Sequence, residues 1–231
     1  MKIKQIQSKL LERTCLILLH TDHVANHDVS AWEQLLLKEE RDKAQRFKFF
    51  KDQKTYTVAH GLLNYCVMSF LGVDKDNLAY AQVKNQKPIL NMEGHSLYFN
   101  LSHSQEGIAL IFSKDQIEVG VDLEKDEKSF DYKLTLNHYF TSNEQAYINN
   151  SSDFFRFWTR KETVLKTTGV GLIDDLQQVE VIDDACAFTA NATANATSEV
   201  HLSSFQWNDF QISYGSLNEP IKAINIYQVT P

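Results

Sequence analysis

Several features that mark whole classes of protein are scarce or missing. There are three cysteines in 231 residues, Cys15, Cys66 and Cys186, and they stand far apart. An odd count without C-x-x-C spacing gives neither a disulfide framework nor a zinc knuckle, and reduced cytosol is the simplest setting. No long hydrophobic run occurs. The most apolar early stretch, Cys15–Leu19, follows Glu12 and Arg13 and is far too short for a signal core or a membrane span. The expectation is therefore a cytoplasmic chain with no membrane association. A basic excess is also missing: 23 Lys and Arg face 30 Asp and Glu, leaving a net charge of −7. That balance argues against nucleic acid or an anionic membrane surface as partner. The glycosylation-type triplets at Asn100, Asn191 and Asn195 carry no meaning in such a compartment.

What is present is an ordinary globular composition, 43% apolar and 23% charged. A chain this long buries roughly 70–75% of its unfolded surface, so its core needs no disulfide or structural metal. Residues 12–19 read as a short buried strand. Residues 30–52 read as one charged helix, with Ser30 as N-cap and Glu33 completing a capping box. Residues 54–71 have apolar residues at helical spacing, ended by Gly72. Tyr80–Val83, Ser96–Leu101, Ile108–Phe112 and Ile117–Leu123 read as strands. Helices return near residue 135: one is capped by Thr141 or Ser142, and an aromatic-rich one spans Phe154–Thr167. The tail reads as strands at Val179–Ile182, Phe205–Trp207 and Ile221–Val229, with the small-residue repeat of 189–198 as a hairpin tip. Each half places helices before strands, the pattern of a duplicated unit.

Three segments carry chemistry. In Gly120-Val121-Asp122-Leu123-Glu124, strand alternation puts Asp122 and Glu124 on one face. They stand roughly 6.5–7 Å apart along the strand, close enough to reach one hard divalent cation, with the small Gly120 leaving space beside them. The plain alternative is the wet face of an amphipathic strand. On the helix around Trp158, the residues Trp158, Glu162, Leu165 and Lys166 fall near one face, and Glu162 with Lys166 is otherwise an ordinary i,i+4 pair. In Phe99-Asn100-Leu101-Ser102-His103-Ser104, a histidine between two hydroxyls after a strand is suited to a phosphate or to a polar turn.

Taken in order, these segments resemble the surfactin-type 4′-phosphopantetheinyl transferases. The signature V/I-G-V/I-D stands here as Val119 to Asp122. The later W-S/C/T-x-K-E-A/S-x-x-K helix stands as Trp158 to Lys166, including Lys161. The K-P pair is Lys87-Pro88, the F-N-x-S-H-S segment is Phe99 to Ser104, and the F-x-x-x-E stretch is Phe140 to Glu144. The resemblance runs from about residue 38 to residue 171. Three departures stand out. The Asp122–Trp158 interval of 35 residues is slightly short, Thr163 follows the signature Glu, and Thr55 with Lys54 beside it replaces an early basic residue.

The resemblance implies an α+β pseudo-dimer of two similar halves, residues 1–115 and 116–231, with the active site in the cleft between them and one chain sufficient as a monomer. It implies transfer of the phosphopantetheine arm of coenzyme A to a serine of an apo acyl or peptidyl carrier protein, with release of 3′,5′-ADP, as in the holo-[acyl-carrier-protein] synthase class. Asp122, Glu124 and Glu162 would hold Mg²⁺, with Mn²⁺ as a substitute. Lys166, helped by Lys161, would meet a phosphate oxygen. Lys87, Pro88, Ser102 and His103 would hold the 3′-phosphoadenosine end, with Lys43 and Lys54 as further candidates. The general base stays open among Glu162, Glu144 and a metal-bound water. The stretch His138-Tyr139-Phe140 is a candidate carrier-docking surface. The rival readings are a Mg²⁺-dependent phosphohydrolase or nuclease on the same carboxylates, and a non-enzymatic binding module.

Overall fold

The computed structural model describes residues 14–81, 88–90, 92, 97–113, 117–171, 173–188 and 198–229. By contacts the chain divides into two units: Met1–Ala81 with Ile89–Gln116 and Ala223–Pro231, and Gln82–Pro88 with Ile117–Lys222. The sequence reading kept the C-terminal tail with the second half. Its last strand instead pairs with the first strand of the chain, so the tail groups with the first unit.

The first unit contains β1 (Thr14–His20), the short helices α1 (Val29–Glu33) and α2 (Lys38–Ala44), the long helix α3 (Phe50–Leu71), and the strands β2 (Tyr80–Ala81), β3 (Ile89–Leu90), β4 (Tyr98–Ser104) and β5 (Gly107–Ser113), together with β10 (Ile224–Val229). Its four-stranded sheet has the order β10-β1-β5-β4. The near-continuous apolar run of β1 is buried on both faces, as an interior strand requires. It lies parallel to β10 and antiparallel to β5. Helix α3 puts Val58, Ala59, Leu62, Leu63, Cys66 and Val67 into a core with Ile17, Leu19, Leu110 and Phe112. Gly72, at φ +68°, terminates it in the left-handed conformation that glycine adopts without strain.

The single helix expected over 30–52 is broken twice. Leu36, Ala44 and Tyr56 form a small core with Phe47, and the chain leaves helical conformation to bury them. The second piece starts where the Leu37 N–H donates to the Glu40 carboxylate at 2.8 Å. Ser30 is not an N-cap. The first piece begins at Val29, and the Ser30 hydroxyl donates to the His27 carbonyl at 3.3 Å.

The second unit contains β6 (Val119–Lys125), the short helices α4 (Leu136–Tyr139) and α5 (Ser142–Gln145), the long helix α6 (Ser151–Thr168), and β7 (Ala185–Phe188), β8 (Ser198–Trp207) and β9 (Phe210–Leu217). The sheet order is β6-β9-β8-β7, antiparallel throughout. Thr141 caps α5 in a reciprocal box with Glu144, as its sequence pattern indicates. The expected strand at Val179–Ile182 is irregular backbone. Val179 and Val181 are buried, and side chains satisfy that backbone: Val181 N–H donates to Glu144 at 3.0 Å, and its carbonyl accepts from Arg160 Nε at 2.7 Å. The 189–197 repeat lies outside the described residues, as do Lys114–Gln116 and Lys87.

The two units repeat one order. A first strand leads into a long helix, and the last strand of a later hairpin returns to pair antiparallel with that first strand: β1 with β5, and β6 with β9. The fold is α+β in both, which is the duplication expected from the helices-before-strands pattern. No described helix is long and apolar enough to cross a membrane.

Candidate functional site

The site is built where α6 rests on β6. Gly120 and Gly215 are cross-strand partners on β6 and β9. A Cβ at Gly120 would lie 2.3 Å from Thr167 Oγ1, 2.6 Å from Thr167 N and 2.8 Å from Thr163 O. One at Gly215 would lie 3.2 Å from Thr163 Cγ2. The helix backbone therefore sits directly on Gly120, and the Thr163 methyl lies against Gly215. The space beside the carboxylates that the sequence reading assigned to Gly120 is filled by α6. Next to the glycine pair, Ser213, opposite Asp122, shares hydroxyl contacts with Thr159 at 2.8 Å and accepts from Thr163 Oγ1 through its carbonyl at 3.0 Å.

Two residues beyond Gly120 on the same face, Asp122 is buried, and its Oδ1 accepts from Lys166 Nζ at 2.6 Å. Glu162 lies one helical turn before Lys166. Burial raises its pKa above the usual carboxylate value, the Asp122 charge raises it further, and the Lys166 ammonium opposes the rise. The sequence pairing of a strand carboxylate with a helix Glu and Lys is thus brought together as one cluster of two carboxylates and one ammonium. Glu124, the third carboxylate of the expected metal set, is half-buried two residues further along β6. Among the described residues, no three of His, Cys, Asp and Glu converge as a ready metal cage. The pair Asp122 and Glu162 still fits a hard divalent cation. Both donors are carboxylate oxygens, and the Asp122 charge disfavours that of Glu162, which a cation between them would relieve.

Two predicted site residues have structural work instead. The Lys161 side chain is 0% exposed, paired with the equally buried Glu144 at 2.8 Å. Its ammonium also donates to the carbonyls of Leu176, at 3.0 Å, and of Val179. Burial lowers the Lys161 pKa, and Glu144 opposes the fall. Glu144 further accepts from the backbone N–H of Thr141 at 2.8 Å and of Val181. With every oxygen committed inside the core, Glu144 is a joint between α5, α6 and the 176–181 segment rather than a base. Lys161 is likewise enclosed in the core. Arg160 ties the same segment down through Val181, Asp183 and Asp184.

Trp158 is half-buried, edge-on to Tyr139 at 5.1 Å and stacked near Phe154 at 6.2 Å. Of the stretch read as a docking surface, Phe140 is fully buried core, whereas His138 and Tyr139 reach the surface.

In the first unit, Ser102 is buried and His103 exposed. Both lie within β4 rather than after a strand, because the strand runs on to Ser104. His103 meets the Tyr56 ring edge-on at 6.3 Å, and Lys43 Nζ stands 5.0 Å from the centre of that ring. Lys54 donates to Asn26 at 3.1 Å. Thr55, at the position where a basic residue was expected, is buried, and its hydroxyl donates to the Gln105 carbonyl at 2.7 Å, anchoring the β4–β5 turn. Pro88 is exposed.

The sequence reading passed over the support beneath Tyr56. His60 lies against its ring, with centroids 4.1 Å apart. Glu40 accepts from Asn64 at 2.6 Å, meets His60 Nδ1 at 2.8 Å and accepts from the Leu37 N–H. Burial favours protonation of Glu40, but His60, Leu37 and Asn64 outweigh it and hold its pKa below the usual value. The i,i+4 spacing of His60 and Asn64 signals this face of α3. Asp126, two residues beyond Glu124, accepts from Ser151 at 2.7 Å and from Ser152, and so clasps the start of α6 to the end of β6.

A family model described as 4′-phosphopantetheinyl transferase superfamily matches residues 118–215, and one described as 4′-phosphopantetheinyl transferase, N-terminal, matches residues 23–114. The chain is 32% identical over 154 residues to the 4′-phosphopantetheinyl transferase HetI of a Nostoc species, covering 63% of this chain and 64% of that protein. It is 24% identical over 156 residues to the 4′-phosphopantetheinyl transferase psf-1 of Bacillus pumilus, covering 65% of each. It is 26% identical over 160 residues to the L-aminoadipate-semialdehyde dehydrogenase-phosphopantetheinyl transferase of Mus musculus, covering 62% of this chain and 51% of that protein. The matched region thus spans between half and two thirds of the length of these relatives.

Proposed function

Since the chain belongs to the 4′-phosphopantetheinyl transferase superfamily, we propose that it is a surfactin-type enzyme that moves the phosphopantetheine arm of coenzyme A onto a serine of an apo acyl or peptidyl carrier protein and releases 3′,5′-ADP. The observation that carries this reading is the convergence of Asp122, Glu162 and Lys166 where α6 meets β6. In this proposal Asp122 and Glu162, with Glu124 as the third donor, hold Mg²⁺, for which Mn²⁺ substitutes. When bound, such an ion would supply positive charge to the pyrophosphate and to the transferring phosphorus.

The serine oxygen forms the new bond to phosphorus while the bond to the 3′,5′-ADP oxygen breaks, and the serine proton must leave. Glu144 is locked in the core. Of the remaining candidates we assign the proton to Glu162, which lies beside Asp122 and Lys166. Lys166 supplies positive charge to a phosphate oxygen. Ser102, His103, Lys43, Lys54, Lys87 and Pro88 are assigned to the 3′-phosphoadenosine end. We place the enzyme in the cytoplasm, as a monomer, with neither nucleic acid nor membrane as partner.

The test is an intact-mass assay with coenzyme A, Mg²⁺ and two purified apo carriers, one of fatty-acid type and one of peptide-synthetase type. A gain of one phosphopantetheine arm that EDTA abolishes is the expected result. No gain on either carrier, together with no heat of coenzyme A binding by calorimetry, would overturn the reading.

A further inference from the structure

Lys166 is paired with the strand carboxylate and acts on Glu162 as well. Its ammonium sits 2.6 Å from Asp122 Oδ1, with the lysine side chain 28% exposed and the aspartate 5% exposed. Glu162, one turn earlier on the same helix face, feels both charges. The Asp122 partner is thus a partly exposed side chain on a flexible four-carbon stem. The neighbouring Lys161 is the opposite case, fully enclosed and fixed by Glu144 and two carbonyls. Of the two lysines near Glu162, one is enclosed in the core and the other reaches the surface.

We propose that Lys166 is a resident counter-ion that competes with the divalent cation for Asp122 and is released when a phosphate of the substrate draws its ammonium away. This deepens the reading given above and rests on it. An ammonium and a divalent cation cannot share the same carboxylate oxygen without repulsion. Occupancy by Lys166 therefore weakens metal binding in the nucleotide-free chain. By linkage the effect is reciprocal: whatever takes Lys166 off Asp122 strengthens metal binding, and bound metal frees Lys166 for phosphate. Metal and pyrophosphate would then load together, and the metal alone would bind weakly.

The experiment measures metal binding without substrate. Mn²⁺ is titrated into the wild-type chain, Lys166→Met, Lys166→Gln and, as a control for net charge, Lys222→Met, which removes an exposed lysine. Unbound Mn²⁺ is read from its electron paramagnetic resonance signal, with no coenzyme A present. Removing one unit charge in contact with the ligand oxygens should tighten Mn²⁺ binding about tenfold or more in both Lys166 variants. Lys222→Met should match wild type. Thermal melts run alongside should show a larger Mn²⁺-induced rise in Tm for the Lys166 variants, which also verifies that they are folded. Equal affinity in wild type and Lys166 variants would overturn the competition while leaving the carboxylate metal site standing. Weaker binding in the variants would overturn it too. No Mn²⁺ binding to any of the four proteins would overturn both the competition and the metal assignment beneath it.

Discussion

The two units share an order of elements and differ in what their long helices present. Helix α3 meets its sheet with an apolar stripe, and its contacts are those of a conventional core. Helix α6 meets its sheet with Thr159, Thr163 and Thr167 over a pair of glycines, and it buries Arg160 and Lys161 as well. Hydrophobic area holds α3. An apolar cluster with Phe154, Phe157, Val164 and Leu165 also holds α6, but there it is joined by close backbone approach at Gly120 and by buried charged groups. In the proposed reading that difference matters for the chemistry: a helix seated on Gly120 brings Glu162 and Lys166 against a strand carboxylate, which a helix held off by large side chains would not. The same order of elements thus carries a conventional apolar interface in one copy and a charged cluster in the other.

The largest expected effect that tests this contrast is in the second unit. Lys161→Met leaves Glu144 buried without its partner and should cost about 3–5 kcal/mol. Adding Glu144→Gln to the same chain should recover part of that loss. Urea unfolding measures both, and a cost for Lys161→Met no larger than for the exposed Lys133→Met would contradict the buried-pair account.

Next in size is a paired glycine test. Gly120→Ala must push α6 off β6, and Gly61→Ala on α3 must push against the Trp32 carbonyl, 2.8 Å from the added Cβ. Each should lose about 1–3 kcal/mol. If the units differ as argued, only Gly120→Ala also loses transfer activity per folded molecule. Equal loss in both, measured on samples matched for folded fraction by circular dichroism, would erase the distinction.

The smallest effect lies in the first unit and depends on pH. The Glu40 pKa is lowered from an ordinary value of 4.5, despite a burial effect that opposes the change, by His60, Leu37 and Asn64. Its stabilising contribution is therefore complete above that ordinary value and disappears as pH falls through the lowered folded value. Glu40→Gln should cost about 1.5 kcal/mol at neutral pH and flatten the loss of stability below pH 4.5. A variant whose melting temperature tracks wild type at every pH would show that Glu40 is not holding α2 to α3.

Much of this architecture is legible in the residues themselves. The apolar run of β1, the helical spacing of α3, the Gly72 and Gly169 stops, and the strand-and-helix placement of Asp122, Glu162 and Lys166 all follow from local periodicity. What escaped depends on packing across long sequence distance. Lys161 is adjacent to Glu162, yet roughly 100° of helical rotation turns it into the core instead of the site. Its partner Glu144 reads equally well as a base until its three contacts are seen. The breaks inside 30–52 come from a small core that includes Tyr56, and the irregular Val179–Ile182 segment is held by Glu144 and Arg160 rather than by a neighbouring strand. No local pattern marks β10 as a parallel partner of β1, since the two lie at opposite ends of the chain.

The most direct test of the account compares Glu162→Gln with wild type in the intact-mass transfer assay, with melting curves on the same samples. The account predicts that transfer falls by at least about a hundredfold, a size usual for loss of a positioned proton acceptor, while Tm is unchanged or rises because a buried like-charge contact with Asp122 is relieved. Transfer at the wild-type rate by folded Glu162→Gln protein would contradict the claim that the seat of α6 on β6 is the catalytic centre.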